Sequence, residues 1–422
     1  LQLEAALASI RSCILQSILD ISENSSLLRF QSALALQCFT NEYVYNMNNK
    51  DAEALQKLES LVENVISKGK QPSPQLVLCL ASYKALNEYG WCNIITVTSN
   101  LREVFKRQVI EPKEEENLKP LIPVLEEIND TVSSNVRDQY EKNPYPRWIN
   151  LRLRLRPATI PKVANEIGLK LFDYSISKVK APNILCAGCG TGQQSIGTAA
   201  RFSNSNILAV DLSLSSLAYA ERKTKEYNIK NIDYMQADIL HLRKLDKKFD
   251  IIECSGVLHH MDDPMSGWQV LTDCLKSGGL MKIGLYSELA RQHIVKIREE
   301  INQLSIEASE AEIRSFRNML MISDKDHHKL IAKSLDFYSL SEMTDLLFHV
   351  KEHRFTIPLI ESSLDKLGLN FCGFEAKQIV SHFKQTNKAK GDPYDLDKWQ
   401  AFEETNPKAF AGMYQFWCQK VG

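Results

Sequence analysis

The segment ILCAGCGTG, residues 184–192, restricts the possible folds more than any other part of this chain. An apolar, β-prone run enters glycines at alternate positions, Gly188, Gly190 and Gly192, and a helix-compatible stretch follows. Glycine at these points permits a tight strand-to-helix turn and a close approach of backbone to a ligand, while the helix N-terminus presents unpaired N–H groups. Around this segment the short runs NILCAG, NILAVD, IDYMQAD, FDIIECS and GLMKIGLY alternate with helical patterns. That rhythm predicts βαβ units and a mostly parallel α/β sheet. Two late runs, LDKLGLNFCGFEA and MYQFWCQK, supply strands for the far edge of the sheet, around a polar excursion at 381–411.

The 422 residues exceed what one core usually supports, so more than one domain is expected. Residues 1–115 carry apolar positions at helical spacing and read as an all-helical domain, with QPSPQLVLCLASYKALNEYG as one helix of a stacked pair. The acidic, proline-punctuated run 111–130 reads as a linker, and 116–157 as a linker and capping segment. Within it, SNVRDQYEK predicts a helix before a rigid Asn-Pro-Tyr-Pro turn. LRLRLRP (151–157) alternates with a period of two and reads as a solvated edge strand carrying Arg152, Arg154 and Arg156 on one face. Residues 158–422 then form the α/β domain, with a helical insertion at 288–355 after the fifth strand.

Asp211 closes the strand NILAVD nineteen residues after Gly192, where a carboxylate can accept the hydroxyls of a ribose. Asp238 closes the next strand, placed to accept from an adenine amino group. The fourth strand, FDIIECSGVLHHMDDP, ends in a small-residue turn at the rim where open α/β sheets bind ligands. A glycine-rich loop alone also serves dinucleotides, or is a tight connection that binds nothing. Four successive strand ends with suitable groups point to a nucleoside-type cofactor.

In these motifs (GCGTG, Asp211, the Ala237–Asp238 pair, GVLHHMDDP and LKSGGLMKIG) the chain resembles the class I, Rossmann-like S-adenosylmethionine-dependent methyltransferases across 183–286. The resemblance implies that Gly188, Cys189, Gly190, Gly192 and Gln193 cradle the methionine part. Asp211 with Leu212 would hold the ribose, Asp238 with Ile239 would face the adenine, and Ser255 would lie near the sulfonium. With NPYPRW upstream and LSEMTDLLFHVKEHRFT and GMYQFWCQK downstream, the chain also resembles the methyltransferase region attached to bacterial tetratricopeptide-repeat proteins. That would suit a helical N-terminal part, and a chain lacking an initial Met as a fragment or processed product preceded by repeats. Cys186 departs from the pattern, standing where many members place an acid. The backbone contacts of the loop survive that change, so cofactor binding is expected to be modulated, not abolished.

His259 and His260 follow the fourth strand and are the candidate general bases, an unperturbed imidazole having a pKa near ~6.5. Tyr145 and Arg147, in a turn with Tyr140 and Trp148, are candidates to cap the cofactor, Arg147 by pairing its carboxylate; the alternative is a wedge of the linker against the sheet. Cys186 and Cys189 form a CxxC without a second pair, read as coincidence. His349, Glu352 and His353 match an inverted zinc-protease pattern, yet no third ligand is marked by spacing, so no metal is expected and the surrounding helix reads as a lid.

With 51 Lys+Arg against 52 Asp+Glu, no global field would recruit nucleic acid or an anionic membrane. Apolar runs such as LVLCLA are too short to cross a bilayer, and ten scattered cysteines suit a reducing compartment, so a soluble, cytoplasmic protein is expected. The expected activity is methyl transfer to a protein or other bulky acceptor. Small-molecule or lipid acceptors, a nicotinamide dehydrogenase and a non-catalytic interaction module are the alternatives.

Overall fold

The computed structural model describes residues 2–422. They divide into two compact units, Leu1–Asn117 with Lys296–Phe348, and Leu118–Val295 with His349–Gly422. The helical stretch expected at 288–355 is therefore shared: its central part clusters with the N-terminal helices, and its ends belong to the sheet unit.

The first unit is helical. Its leading elements are Gln2–Ser17, Ser25–Thr40, Asn49–Ser67 and Pro74–Ala81. Asn24 and Asn48 cap two of these by accepting from Leu27 and Asp51 backbone N–H groups, satisfying donors that a helix start leaves unpaired. Leu34, Ala35, Val62, Val77, Leu78 and Val104 form its core. The buried amide of Gln108 donates to the Ala35 and Ala81 carbonyls and accepts from Leu86 N–H. Arg317, in the later segment, pairs with Glu4 of the first helix at 3.1 Å with both side chains buried.

The second unit is built on a seven-stranded sheet of order β3-β2-β1-β4-β5-β7-β6. The strands are β1 Asn183–Ala187, β2 Asn206–Asp211, β3 Ile232–Gln236, β4 Phe249–Ser255, β5 Leu275–Leu285, β6 Leu369–Phe374 and β7 Tyr414–Lys420. β1 to β5 pair in parallel, and β7 is antiparallel to both β5 and β6. This is the expected Rossmann-like sheet with a late reversed strand. Side chains alternate between two cores. Leu185, Ala187, Ile252 and Met281 face one, while Ile184, Cys186, Ile251 and Leu280 face the other. Cover on both faces explains why β4 is buried almost throughout rather than at alternate positions.

Three local expectations are corrected. The acidic run is no free linker: Glu111–Leu118 is helical with Pro112 in its first turn, and Pro123 and Leu125 hydrogen-bond Gln236 at the outer edge of β3. LRLRLRP is not a strand, because no neighbouring backbone accepts its ladder. Leu151 and Leu153 instead pack on Trp148, Ile196 and Tyr219, and Arg154 forms a two-bonded pair with Glu166 at 2.7 and 2.9 Å. The polar excursion 381–411 contributes the helix Leu396–Thr405, whose Trp399 stacks on Phe383 at 3.8 Å between centroids.

Candidate active site

The glycine loop leaves β1 and turns into the helix Gln193–Arg201. Gly188, Gly190 and Gly192 have φ of 70°, 50° and 85°, a left-handed region that side chains with a Cβ disfavour. Protein already occupies the space a Cβ would need: a Val257 methyl lies 2.2 Å from it at Gly188, the Tyr145 carbonyl oxygen 2.6 Å at Gly190, and the Ala220 Cβ 2.7 Å at Gly192. These glycines thus close the loop against its own supports.

The support at Gly190 is the Asn-Pro-Tyr-Pro segment, in which the Tyr145–Pro146 bond is cis. Thr191 donates its N–H to Tyr145 O at 3.4 Å and its hydroxyl to Pro146 O at 2.5 Å, and Trp148 Nε1 donates to Thr191 O at 3.2 Å. On the preceding helix, Thr131–Lys142, Glu141 accepts from Leu214 N–H and the Ser215 hydroxyl. That puts a carboxylate on the N-terminus of the helix Leu214–Glu226, where the helix dipole favours negative charge. Lys223 of the same helix reaches Ile149 O at 2.8 Å. Residues 140–151 therefore form a strap bound to both the loop and the helix after β2. Tyr145 lies on it, ring-stacked with Tyr140 at 6.4 Å, and Arg147 lies half-buried between Pro146 and Trp148.

Asp211 ends β2. Its Oδ2 accepts from Gly190 N–H at 2.7 Å and its Oδ1 from Ser213 N–H at 3.0 Å. Burial raises its pKa, while the N–H groups of Ser213, Gly190 and Leu212 oppose that rise. The carboxylate thus ties the loop to the turn after β2 and keeps lone pairs for a ligand. Leu212 is half-buried, and its carbonyl accepts from Gln236 Nε2 at 2.7 Å. Asp238, 3% exposed, caps the turn Ile239–Leu245 through Oδ1, which accepts from Leu240 N–H at 2.9 Å. Ile239 is buried beside it, Cys189 is buried in the loop, and Gln193 is exposed.

Three buried polar atoms in β4 or just beyond β3 have no hydrogen-bond partner among the described residues: Asp238 Oδ2, Glu253 Oε1 and Ser255 Oγ. Buried acceptors without donors are costly, and their concentration at one rim of a parallel sheet is the arrangement a polar ligand completes. An adenosine with an amino-acid tail offers amino, hydroxyl and ammonium groups to such a set, so the residues present fit S-adenosylmethionine. Glu253 was not among the sequence candidates. Its signal was an acid directly after the apolar pair Ile251–Ile252 in FDIIECS.

Beyond β4, His259 is fully buried with neither ring nitrogen hydrogen-bonded, stacked on Tyr286 at 3.8 Å and edge-on to His260 at 4.3 Å. Burial, reinforced by the positive charge of Arg291, holds its pKa well below the usual imidazole value, so it stays neutral. His260 Nδ1 lies 2.7 Å from Lys351 O, which requires the proton on Nδ1. His349 stacks on His260 at 3.5 Å.

The HVKEH segment is not helical, since the helix Leu340–Phe348 ends before it, and the i,i+4 spacing places no histidine pair on a helix face. Glu352 is held by Arg291 at 2.7 and 3.2 Å, while the His353 N–H binds His259 O at 2.7 Å. In the helical unit, donor atoms of Glu300, His327 and His328 lie within 4.8 Å of one another and could hold a cation. Lys325 already lies 2.8 Å from Glu300 Oε1. Cys186 and Cys189 are buried free thiols with pKa values raised by burial, unlike a reactive CxxC.

Residues 184–279 match the family described as methyltransferase domain. The match spans the glycine loop and the ends of β2, β3 and β4. Among its relatives, an uncharacterized protein of Synechococcus is 27% identical over 236 residues, 52% of this chain and 56% of the relative. A ubiquinone biosynthesis O-methyltransferase of Coxiella burnetii is 30% identical over 132 residues, 31% of this chain and 53% of the relative. The chain spans about half the length of these curated relatives. Among solved structures, PKMT2 of Rickettsia typhi in complex with AdoHcy is 19% identical, with a TM-score of 0.47, covering 64% of this chain and 54% of that one. Among the described residues, no helix is long and apolar enough to cross a membrane.

Proposed function

We propose that this chain transfers a methyl group from S-adenosylmethionine to a protein or other bulky acceptor. The observation that carries the reading is the set of unpartnered buried acceptors, Asp238 Oδ2, Glu253 Oε1 and Ser255 Oγ, beside a loop held by Asp211. The cofactor supplies an electrophilic methyl on a sulfonium whose departure needs no proton. The work of the chain is therefore alignment and exclusion of water. The glycine loop and Gln193 hold the amino-acid tail, Asp211 and Leu212 the ribose, Asp238 and Ile239 the adenine, and Tyr145 and Arg147 cap the loop. Where the acceptor must lose a proton, His260 is the candidate base, and neutral His259 packs against the same rim without competing for it.

The lean toward a bulky acceptor is supported by the separate helical unit of residues 1–117 and 296–348, which methyl transfer itself does not require. The test is transfer of labelled methyl from S-adenosylmethionine into size-fractionated extract of the source cell. Label in the macromolecular fraction is expected. Label confined to small molecules would replace the acceptor class, and no label in any fraction together with no cofactor binding would remove the reading.

A further inference from the structure

Glu253 lies inside β4 with 2% of its surface exposed, and among the described residues it forms no salt bridge. Its Oε2 accepts from Thr198 Oγ1 at 2.6 Å and Gln194 Nε2 at 3.0 Å, both on the helix that begins directly after the glycine loop. Its Oε1 has no partner. The one cation on the neighbouring rung, Lys282 of β5, is turned to other use: it pairs with Glu375 at 3.1 Å, and Glu375 also accepts from Arg201 and from Trp417 Nε1. Two neutral donors on one oxygen do not neutralise a buried carboxylate, and a buried charge persists only where it is paired.

The place of this unpaired charge is specific. Glu253 is the register partner of Cys186 on β1, two residues before Gly188 on the same face, and two residues before Ser255, whose hydroxyl is also buried without a partner. The rung that lacks an acid on β1 has one on β4.

We propose that Glu253 Oε1 receives the α-ammonium of the cofactor's amino-acid tail, an assignment that rests on the methyltransferase reading. A compact, three-donor cation there gives the buried carboxylate its missing partner, and the loop that holds the tail is fixed through Gln194 and Thr198 to the other oxygen of the same group.

The experiment is calorimetry with two probes, S-adenosylhomocysteine and its analogue bearing hydrogen in place of the α-amino group. The native chain is expected to prefer S-adenosylhomocysteine at least tenfold. Glu253→Gln, which keeps an acceptor for the Thr198 hydroxyl, is expected to lose most of that preference by weakening S-adenosylhomocysteine alone, with the analogue unchanged within about twofold. Equal affinity of the native chain for both probes overturns the assignment without any variant. So does an equal loss for both probes in a folded Glu253→Gln protein, the mark of a purely structural role. A native chain that binds neither probe overturns instead the methyltransferase reading beneath it. Restoring a carboxylate to the rung, Cys186→Asp with Glu253→Gln, is expected to recover the preference, and its absence in that folded double variant counts against the assignment.

Discussion

Gly190→Ala tests whether the strap and the glycine loop form one structural piece. Alanine at φ of 50° costs about 1 kcal/mol or more in backbone strain. Its Cβ would lie 2.6 Å from the Tyr145 carbonyl oxygen, a backbone atom that cannot rotate away, so the strap must retreat. Retreat lengthens the two Thr191 hydrogen bonds, at 3.4 and 2.5 Å, and disturbs the Trp148 bond to Thr191 O at 3.2 Å. At about 0.5–1.5 kcal/mol net for each of the three bonds, added to the strain, the sheet unit should lose about 2.5–5.5 kcal/mol in total. Gly197→Ala is the control. Gly197 lies inside the helix Gln193–Arg201 with open space at its Cβ position, so alanine should add about 0.5–1 kcal/mol of stability. Equilibrium urea unfolding followed by tryptophan fluorescence reads the difference, since Trp148, Trp268, Trp399 and Trp417 all lie in the sheet unit. A Gly190→Ala protein within 1 kcal/mol of the Gly197→Ala control would refute the account of the loop as clamped by the strap.

Asp238→Asn keeps the Oδ1 cap on Leu240 N–H but offers an amide where an acceptor is buried and unpartnered; calorimetry should show S-adenosylhomocysteine binding weakened about tenfold with the melting temperature nearly unchanged. Burial, with Asp336, Glu42 and Asp345 adding to it against the Ser339 hydrogen bond, pushes Glu342 up to about 7. A carboxyl raised in the folded state stabilises it fully below the ordinary carboxylate range and loses that contribution as pH rises through about 7. The helical unit should therefore be about 1–2 kcal/mol more stable at pH 5 than at pH 8, after discounting for partial exposure, and urea titration of Glu342→Gln should abolish that difference. His260→Ala should reduce acceptor turnover 10²-fold or more while S-adenosylhomocysteine affinity measured by calorimetry stays within about threefold.

The part of the molecule legible in the sequence is the part whose physics is local. Five parallel strands announced themselves through short apolar runs at βα spacing, and the glycines at 188, 190 and 192 through a backbone conformation that only glycine adopts readily. Asp211 was legible because it closes a strand, and Asp238 because it follows the end of the next strand by two residues. What the sequence could not show depends on partners far along the chain. LRLRLRP has a strand's alternation, yet a strand needs a neighbouring backbone, and none is there; Tyr227, Glu166 and Trp148 supply its contacts instead. HVKEH has a helix's spacing, yet the helix stops at Phe348 and Arg291 takes Glu352. The space above Gly190 is filled by a carbonyl 45 residues earlier, and Glu253 becomes conspicuous only when the register sets it beside Cys186 with one oxygen unpaired. Periodicity and turn chemistry are properties of a few consecutive residues, whereas the pairing of a buried charge is a property of the whole packed interior, and only the tertiary structure decides it.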